Sequence, residues 1–289
     1  MNKLPMEFKH LLLSLVLICG FTTLSHAQQL TVGTYNVRYD NPGDTGNLWA
    51  DRAPVVASLL RFHDFDVFGT QEALKNELDD ISKALPEYER YGRGRDDGKE
   101  KGEHAAIFFR KDKFKLLDKG DFWLSETPDK PSLGWDATCC NRISSWVYLQ
   151  DLSTNKKFYF FNVHYDHQGV QARNESSKLM LRKIKEIAGK EPAILTGDFN
   201  GGYTSDWYKA LANSGLLKDT YKAVAQPYAP NGSFNGFKQQ PDSNEIIDHI
   251  FVTDGFKVDK WGILTDTYRG KFPSDHFPVL VELSYDSKE

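Results

Sequence analysis

The sequence lacks the surplus of positive charge that a general nucleic-acid binder carries: 36 Lys and Arg stand against 40 Asp and Glu, a formal net charge of −4. A chain of this balance holds a phosphate only through local charge, not through its overall field. Cysteine is scarce as well, and three in 289 residues do not make a disulfide scaffold. Low-complexity tracts, linkers and internal repeats are missing, which excludes collagen-like and extensively disordered architectures. Long apolar runs are confined to residues 11–21. What is present, 40% hydrophobic, 13% aromatic and 26% charged residues, is the composition of a globular chain able to bury a large core.

The run 11–21 follows Lys3 and Lys9 and is shorter than the roughly 18 residues that span a bilayer. Ser25-His26-Ala27 then places small residues at the two positions that a signal peptidase reads. The expectation is a secretory signal peptide over residues 1–27, cleaved before Gln28, and export to a periplasm or extracellular space with no stable membrane insertion afterwards. Lipidation at Cys19 is the weaker reading, because Ile18 stands where a small residue is required. Residues 28–289 then form a single domain, expected to be monomeric, whose only cysteines are the neighbours Cys139 and Cys140. Adjacent cysteines close a tight ring when bonded, so a buried pair of free thiols is the expectation.

Short runs rich in Val, Ile, Phe and Tyr alternate with a few helical stretches. Strands are expected over 30–37, 66–69, 105–109, 114–124, 143–151, 157–164, 193–196, 245–253, 256–264 and 279–284, with helices over 53–62 and 172–188. The Gly-, Pro- and Asn-bearing stretch 226–241 reads as a loop. So many strands with so few crossover helices argue against one parallel sheet and for two packed sheets flanked by helices.

Polar residues recur where these strands stop: Asn36, Glu72, His164, Asp198, Asn200, Asp248, Asp275 and His276. Each alone has an ordinary explanation as a turn or loop residue. Together they offer carboxylates, carboxamides and imidazoles at a rigid rim, without a serine or cysteine in a nucleophile setting. Oxygen donors of this kind suit Mg²⁺, and histidine tolerates Mn²⁺. The inventory fits hydrolysis by a metal-assisted water.

In chain order, Thr34-Tyr-Asn-Val37, Gln71-Glu72, Asn162-Val-His164, Gly197-Asp-Phe-Asn200, Ile247-Asp-His-Ile-Phe251 and Ser274-Asp-His276 resemble the endonuclease/exonuclease/phosphatase family. The resemblance runs from about Leu30 to Leu283. It implies an α/β fold, a four-layer α/β/β/α sandwich of two packed mixed sheets flanked by helices. It also implies one or two divalent cations, Mg²⁺ or Mn²⁺, held by Glu72 with Asn36 and Asp275. Asp198 would align or activate water and Asn200 would donate to a phosphoryl oxygen. His276 would pair with Asp248, as general base or as cationic clamp, and His164 would donate to phosphate in the transition state. Two further positions match the family pattern: Glu103, which would orient His164, and Arg142, which would face the substrate. The competing readings are a solvated charge and a surface ion pair.

The implied activity is that of a secreted phosphoesterase acting on a phosphodiester or phosphomonoester. Arg90, Arg93, Arg95, Lys99 and Lys101 are interrupted by Asp96, Asp97, Glu100 and Glu103, and read as a solvated loop rather than a groove for a nucleic-acid backbone. Trp123 and Trp135 wall a substrate pocket or pack their loop onto the sheet. Phosphorylated sugars and other small phosphoesters are therefore favoured over DNA or RNA, with a catalytically inactive phosphate-binding module as the reading from another class.

Overall fold

A computed structural model describes residues 29–241 and 243–286; the expected signal peptide lies outside them. The described chain runs β1 (Gln29–Asn36), α1 (Trp49–Phe62), β2 (Val67–Gln71), α2 (Lys75–Ala84), β3 (Tyr88–Tyr91), β4 (Ala106–Arg110), β5 (Phe114–Trp123) and β6 (Ile143–Asp151). It continues through β7 (Lys157–His164), α3 (Val170–Ala188), β8 (Ala193–Asp198), α4 (Asp206–Ala212), β9 (Lys218–Asp219), α5 (Thr220–Ala223), β10 (Asp248–Val252), β11 (Phe256–Ile263) and β12 (Val279–Tyr285). One six-stranded sheet has the order β11-β12-β1-β2-β4-β3, the other β5-β6-β7-β8-β10-β9.

Both sheets are mixed for the same reason. Parallel neighbours require a crossover, and each sheet has one such pair, β1 with β2 across α1 and β7 with β8 across α3. Strands in the middle of each sheet are buried on both faces, which is why they read as continuous apolar runs. Val32, Val67 and Val281 meet Val147, Phe160 and Ile250 between the sheets. On the outer faces Phe68 and Phe108 take Val56, Leu60, Leu78 and Ile81 of the first helix layer. Phe161, Leu195 and Phe251 take Leu179, Met180, Ile184 and Leu211 of the second. The expected α/β/β/α sandwich is the observed one. Among the described residues no helix is long and apolar enough to cross a membrane.

The differences from expectation are local. Helix α1 begins at Trp49 and holds Pro54 at its sixth position, where the proline gives up the bond to the Ala50 carbonyl. The sequence reading passed over α2, whose buried side is only Glu77, Leu78 and Ile81; its first turn is closed by Glu77 accepting from Leu74 N at 2.8 Å.

The sheets are also joined by polar groups. Asn162 donates Nδ2 to Thr70 O (2.8 Å) and Ala106 O (2.9 Å) of the opposite sheet, while its Oδ1 accepts from Gln71 Nε2 at 2.7 Å. A fully paired buried amide fixes register where apolar contacts alone would allow sliding. It also needs room, and Gly69 supplies it: a Cβ there would sit 2.3 Å from Asn162 Oδ1. Gly69→Ala is expected to cost about 1–3 kcal/mol by overpacking, read as a lower urea midpoint, whereas a midpoint equal to wild type would contradict this packing.

Candidate active site

The two parallel pairs end side by side. In the first sheet Asn36 lies in register with Gln71, the residue before Glu72. In the second, His164 lies in register with Asp198, and Asp198 with Asp248. The carboxyl ends of β1, β2, β7 and β8 therefore deliver Asn36, Glu72, His164 and Asp198 to one rim, the place where open α/β sheets present their functional groups, and the amino end of the antiparallel β10 adds Asp248. The loop before β12 adds Asp275 and His276. It is pinned to β1 by Ser274 Oγ donating to Asn36 O (2.7 Å) and by the fully buried Arg52. That guanidinium donates to Val37 O (2.7 Å), Arg38 O (2.9 Å) and Pro273 O (3.0 Å). Arg38, Glu72 and Asn200 take positive φ values of 57°, 66° and 47°. Such strain in non-glycine residues costs of order 1–3 kcal/mol each and concentrates at functional sites.

These groups line a cleft of about 570 Å³. At its floor Asp198 Oδ2 accepts from Asn36 Nδ2 at 3.0 Å and lies 3.6 Å from His164 Nε2 and 3.8 Å from His276 Nε2. Asn36 Nδ2 also donates to Glu72 Oε1 (3.0 Å), and its Oδ1 accepts from Arg38 N (3.0 Å). His276 Nδ1 contacts Asp248 Oδ2 at 2.8 Å.

The two histidines are set to different protonation states. Burial opposes protonation of His276, but the Asp248 carboxylate and then Asp198 outweigh it and push its pKa up to about 10. It is an imidazolium at neutral pH, which favours a cationic clamp over a general base. His164 is held down to about 3, first by burial and then by the Arg142 guanidinium, so it is neutral. Burial, reinforced by Asp248, raises Asp198 above the usual carboxylate range, and burial brings Asp275 to about 6.

Three arginines face this acidic floor. Arg142 Nη1 lies 3.1 Å from both ring nitrogens of His164, Nη2 is 2.7 Å from His167 Nδ1, and Nε is 3.5 Å from Asp166 Oδ2. Arg38 reaches toward both Glu72 (3.7 Å) and Asp275 (3.8 Å). Arg95 is paired with Glu103, whose Oε2 is 3.6 Å from His164 Nδ1. Glu103 thus stands near His164 without a hydrogen bond to it, and Arg95 is its closer partner. Asn200 Nδ2 donates to Tyr165 O at 3.0 Å and its N–H to Asp198 Oδ1 at 2.8 Å, so it shapes the turn as well as bordering the cleft. Glu72, His164 and Asp198 form one group with ligand atoms close enough to share a cation, and Asp198, Asp248 and His276 another.

Several expectations need correction. Cys139 and Cys140 form a disulfide, with Cys139 exposed and Cys140 half-buried at the cleft, rather than a buried thiol pair. The hydrophobic layers are filled by larger side chains, and this loop lies outside them. Arg95 is buried at the site, not solvated, because Trp123 Nε1 donates to its carbonyl at 2.7 Å and Glu103 takes its guanidinium. Of the two readings for Trp123, packing onto the sheet is the one the structure has: it is buried and does not line this cleft. The exposed aromatic at the cleft is Phe234, packed edge-on against His276 at 5.0 Å between ring centroids. It lay hidden in a stretch legible only as loop. His104 and His249 are buried against the carbonyls of Ala73 and Gly201, and Arg173 stacks on Trp207 at 4.4 Å; all three are structural. His167 joins the cleft instead.

The model of the "Endonuclease/Exonuclease/phosphatase family" matches residues 33–276. A crystal structure of a member of that family from Bacteroides thetaiotaomicron is 50% identical, with 90% of this chain and 98% of that one covered and a TM-score of 0.86. A mannosyl-6-phosphatase from Bacteroides thetaiotaomicron is also 50% identical, with coverage of 88% and 99% and a TM-score of 0.85. A CCR4-Not complex 3'-5'-exoribonuclease subunit from Emericella nidulans is 22% identical over 94% of this chain, which spans 54% of that protein.

Proposed function

The chain belongs to the endonuclease/exonuclease/phosphatase family of metal-dependent phosphoesterases, and from that premise we propose that it hydrolyses small sugar phosphomonoesters. The observation that carries this reading is the concentration of Arg38, Arg95, Arg142 and the charged His276 around a single cleft. A terminal phosphate carries two negative charges and three free oxygens, and this many donors suit it better than an internal diester with one charge. The mannosyl-6-phosphatase at 50% identity supports the same choice.

The donor chemistry fits a hard divalent cation. Glu72 and Asp275 would hold it through carboxylate oxygens, in place of the Arg38 guanidinium that lies 3.7 and 3.8 Å from them, with Asn36 beside them; Mg²⁺ is the first choice and Mn²⁺ the second. Such an ion, when bound, neutralises phosphate charge and stabilises the departing oxygen. Asp198, with its raised pKa, takes the proton of the attacking water. His276, charged and fixed by Asp248, donates Nε2–H to a phosphoryl oxygen. Neutral His164 donates from its own ring, Arg142 grips a second oxygen, and Asn200 borders the attack site. Phe234 packs beside the leaving group. We further propose that residues 1–27 export the chain to a periplasm or extracellular space, where phosphorylated glycans are available.

Release of phosphate from hexose 6-phosphates, compared with cleavage of plasmid and single-stranded DNA and RNA at equal enzyme, tests the substrate class. Hexose phosphates are expected to turn over faster in Mg²⁺, and EDTA is expected to abolish the activity. Rapid nucleic-acid cleavage without phosphate release would establish the nuclease reading, to which the exoribonuclease relative lends support. Activity that survives EDTA would contradict the metal assignment.

A further inference from the structure

The segment that delivers Arg142 is fastened along its length to the turn that follows β7. Asp136 Oδ1 and Oδ2 accept from Ala172 N and Gln171 N (3.0 Å for the latter) at the start of α3, and Thr138 Oγ1 donates to Gln168 Oε1. Cys139 Sγ lies within 4.8 Å of ligand atoms of Asp166 and His167. Those two residues also contact the Arg142 guanidinium, at 3.5 and 2.7 Å. The Arg142 carbonyl in turn accepts from Leu124 N at 2.8 Å. Midway between the Thr138 and Arg142 anchors stands the Cys139–Cys140 disulfide, with Cys140 on the cleft wall.

A bond between adjacent residues closes a small ring and removes rotational freedom from both. Here the two stiffened residues precede Asn141 and Arg142, in the short span where slack would let the guanidinium drift. We infer that the Cys139–Cys140 disulfide is a positioning element for Arg142, so that the cleft's affinity for phosphate depends on the redox state of this bond. The inference rests on the reading of Arg142 as a phosphate-binding residue. In the reduction step a dithiol passes two electrons and two protons to the disulfide, giving two thiols, and is itself closed to a disulfide.

The test is the Kd of inorganic phosphate at fixed Mg²⁺, measured by calorimetry on the full chain. Oxidised protein, dithiothreitol-reduced protein and the double variant Cys139→Ser with Cys140→Ser are compared, each also in an Arg142→Ala background. Mass of the 139–140 peptide from the unreduced protein should be two hydrogens below that of the dithiol; a dithiol there would overturn the inference. Reduction is expected to raise Kd about three- to tenfold, the cost of ordering one long side chain afresh, with reoxidation restoring it. The serine pair should bind like the reduced protein, and reduction should change nothing once Arg142 is alanine. An unchanged Kd on reduction, a serine pair that binds like the oxidised protein, or an equal weakening in the Arg142→Ala background would each overturn it. Failure of the phosphoesterase reading is distinct: the oxidised protein would then not bind phosphate at all.

Discussion

Asp198→Asn is expected to lower kcat for hexose phosphate hydrolysis by about 10²–10⁴-fold, the usual worth of a positioned general base, with little change in KM. The substitution keeps shape and polarity but removes the group able to accept a proton from water. Asp198 is suited to that task because burial and the neighbouring Asp248 carboxylate both disfavour its charge. The effect on stability is set by two opposed changes: an amide relieves repulsion between two buried carboxylates, but it turns an NH2 toward one of the donors Asn36 Nδ2 and Asn200 N and removes a counter-charge of His276, so Tm is expected to move by only a few degrees. Full activity in Asp198→Asn would remove the base from this mechanism, and a collapse in Tm would show that the carboxylate is needed for folding.

His276→Ala should lose both activity and stability. Removing one preorganised donor to the transition state costs about 10²–10³ in kcat. Removing the cation also leaves Asp248 and Asp198 buried together, and breaking a buried ion pair from one side costs about 3–5 kcal/mol. The pH dependence distinguishes this from simple loss of packing. The folded-state pKa of His276 is about 10 against an ordinary 6.5. Its stabilisation is therefore fully present below 6.5 and lost as pH rises through 10. The stability gap between wild type and His276→Ala, measured by urea unfolding, should be largest at and just below pH 6.5 and shrink as pH rises toward 10. A gap that stays constant would mean that the ring packs without acting as a cation. His164 has the opposite sign: its folded-state pKa is near 3, so its contribution is present above about 6.5 and is lost as pH falls toward 3.

Much of this site was legible in the sequence because strand ends are legible. Strands buried on both faces leave short apolar runs, and the polar residue that bounds a run is conspicuous; Asn36, His164 and Asp198 close β1, β7 and β8, and Asp248 opens β10. What escaped has a common cause. Arg38, paired with Asp44 at 2.8 and 3.1 Å, and Arg95, paired with Glu103, owe their places at the site to the fold that sets them near Glu72, Asp275 and His164, and nothing in their immediate neighbours separates them from solvated arginines. Arg52 looks like any helical arginine until the carbonyls of Val37 and Pro273 converge on it. Phe234 belongs to a stretch without periodicity. It is held beside His276 by backbone bonds from Asn235 N and Gly236 N to Asp275 O, at 2.7 and 3.0 Å. Helix α2 was hidden by its polarity, since a helix that buries only three side chains leaves almost no apolar stripe to read.

Hydrolysis of a hexose 6-phosphate in oxygen-18 water, followed by mass analysis of both products after a single turnover, examines the proposed chemistry at the bond itself. Attack of an Asp198-activated water on phosphorus predicts one heavy oxygen in the released phosphate and none at C6 of the sugar. Label at the C6 oxygen, or an unlabelled phosphate on the first turnover, would contradict direct attack of water at phosphorus in this cleft.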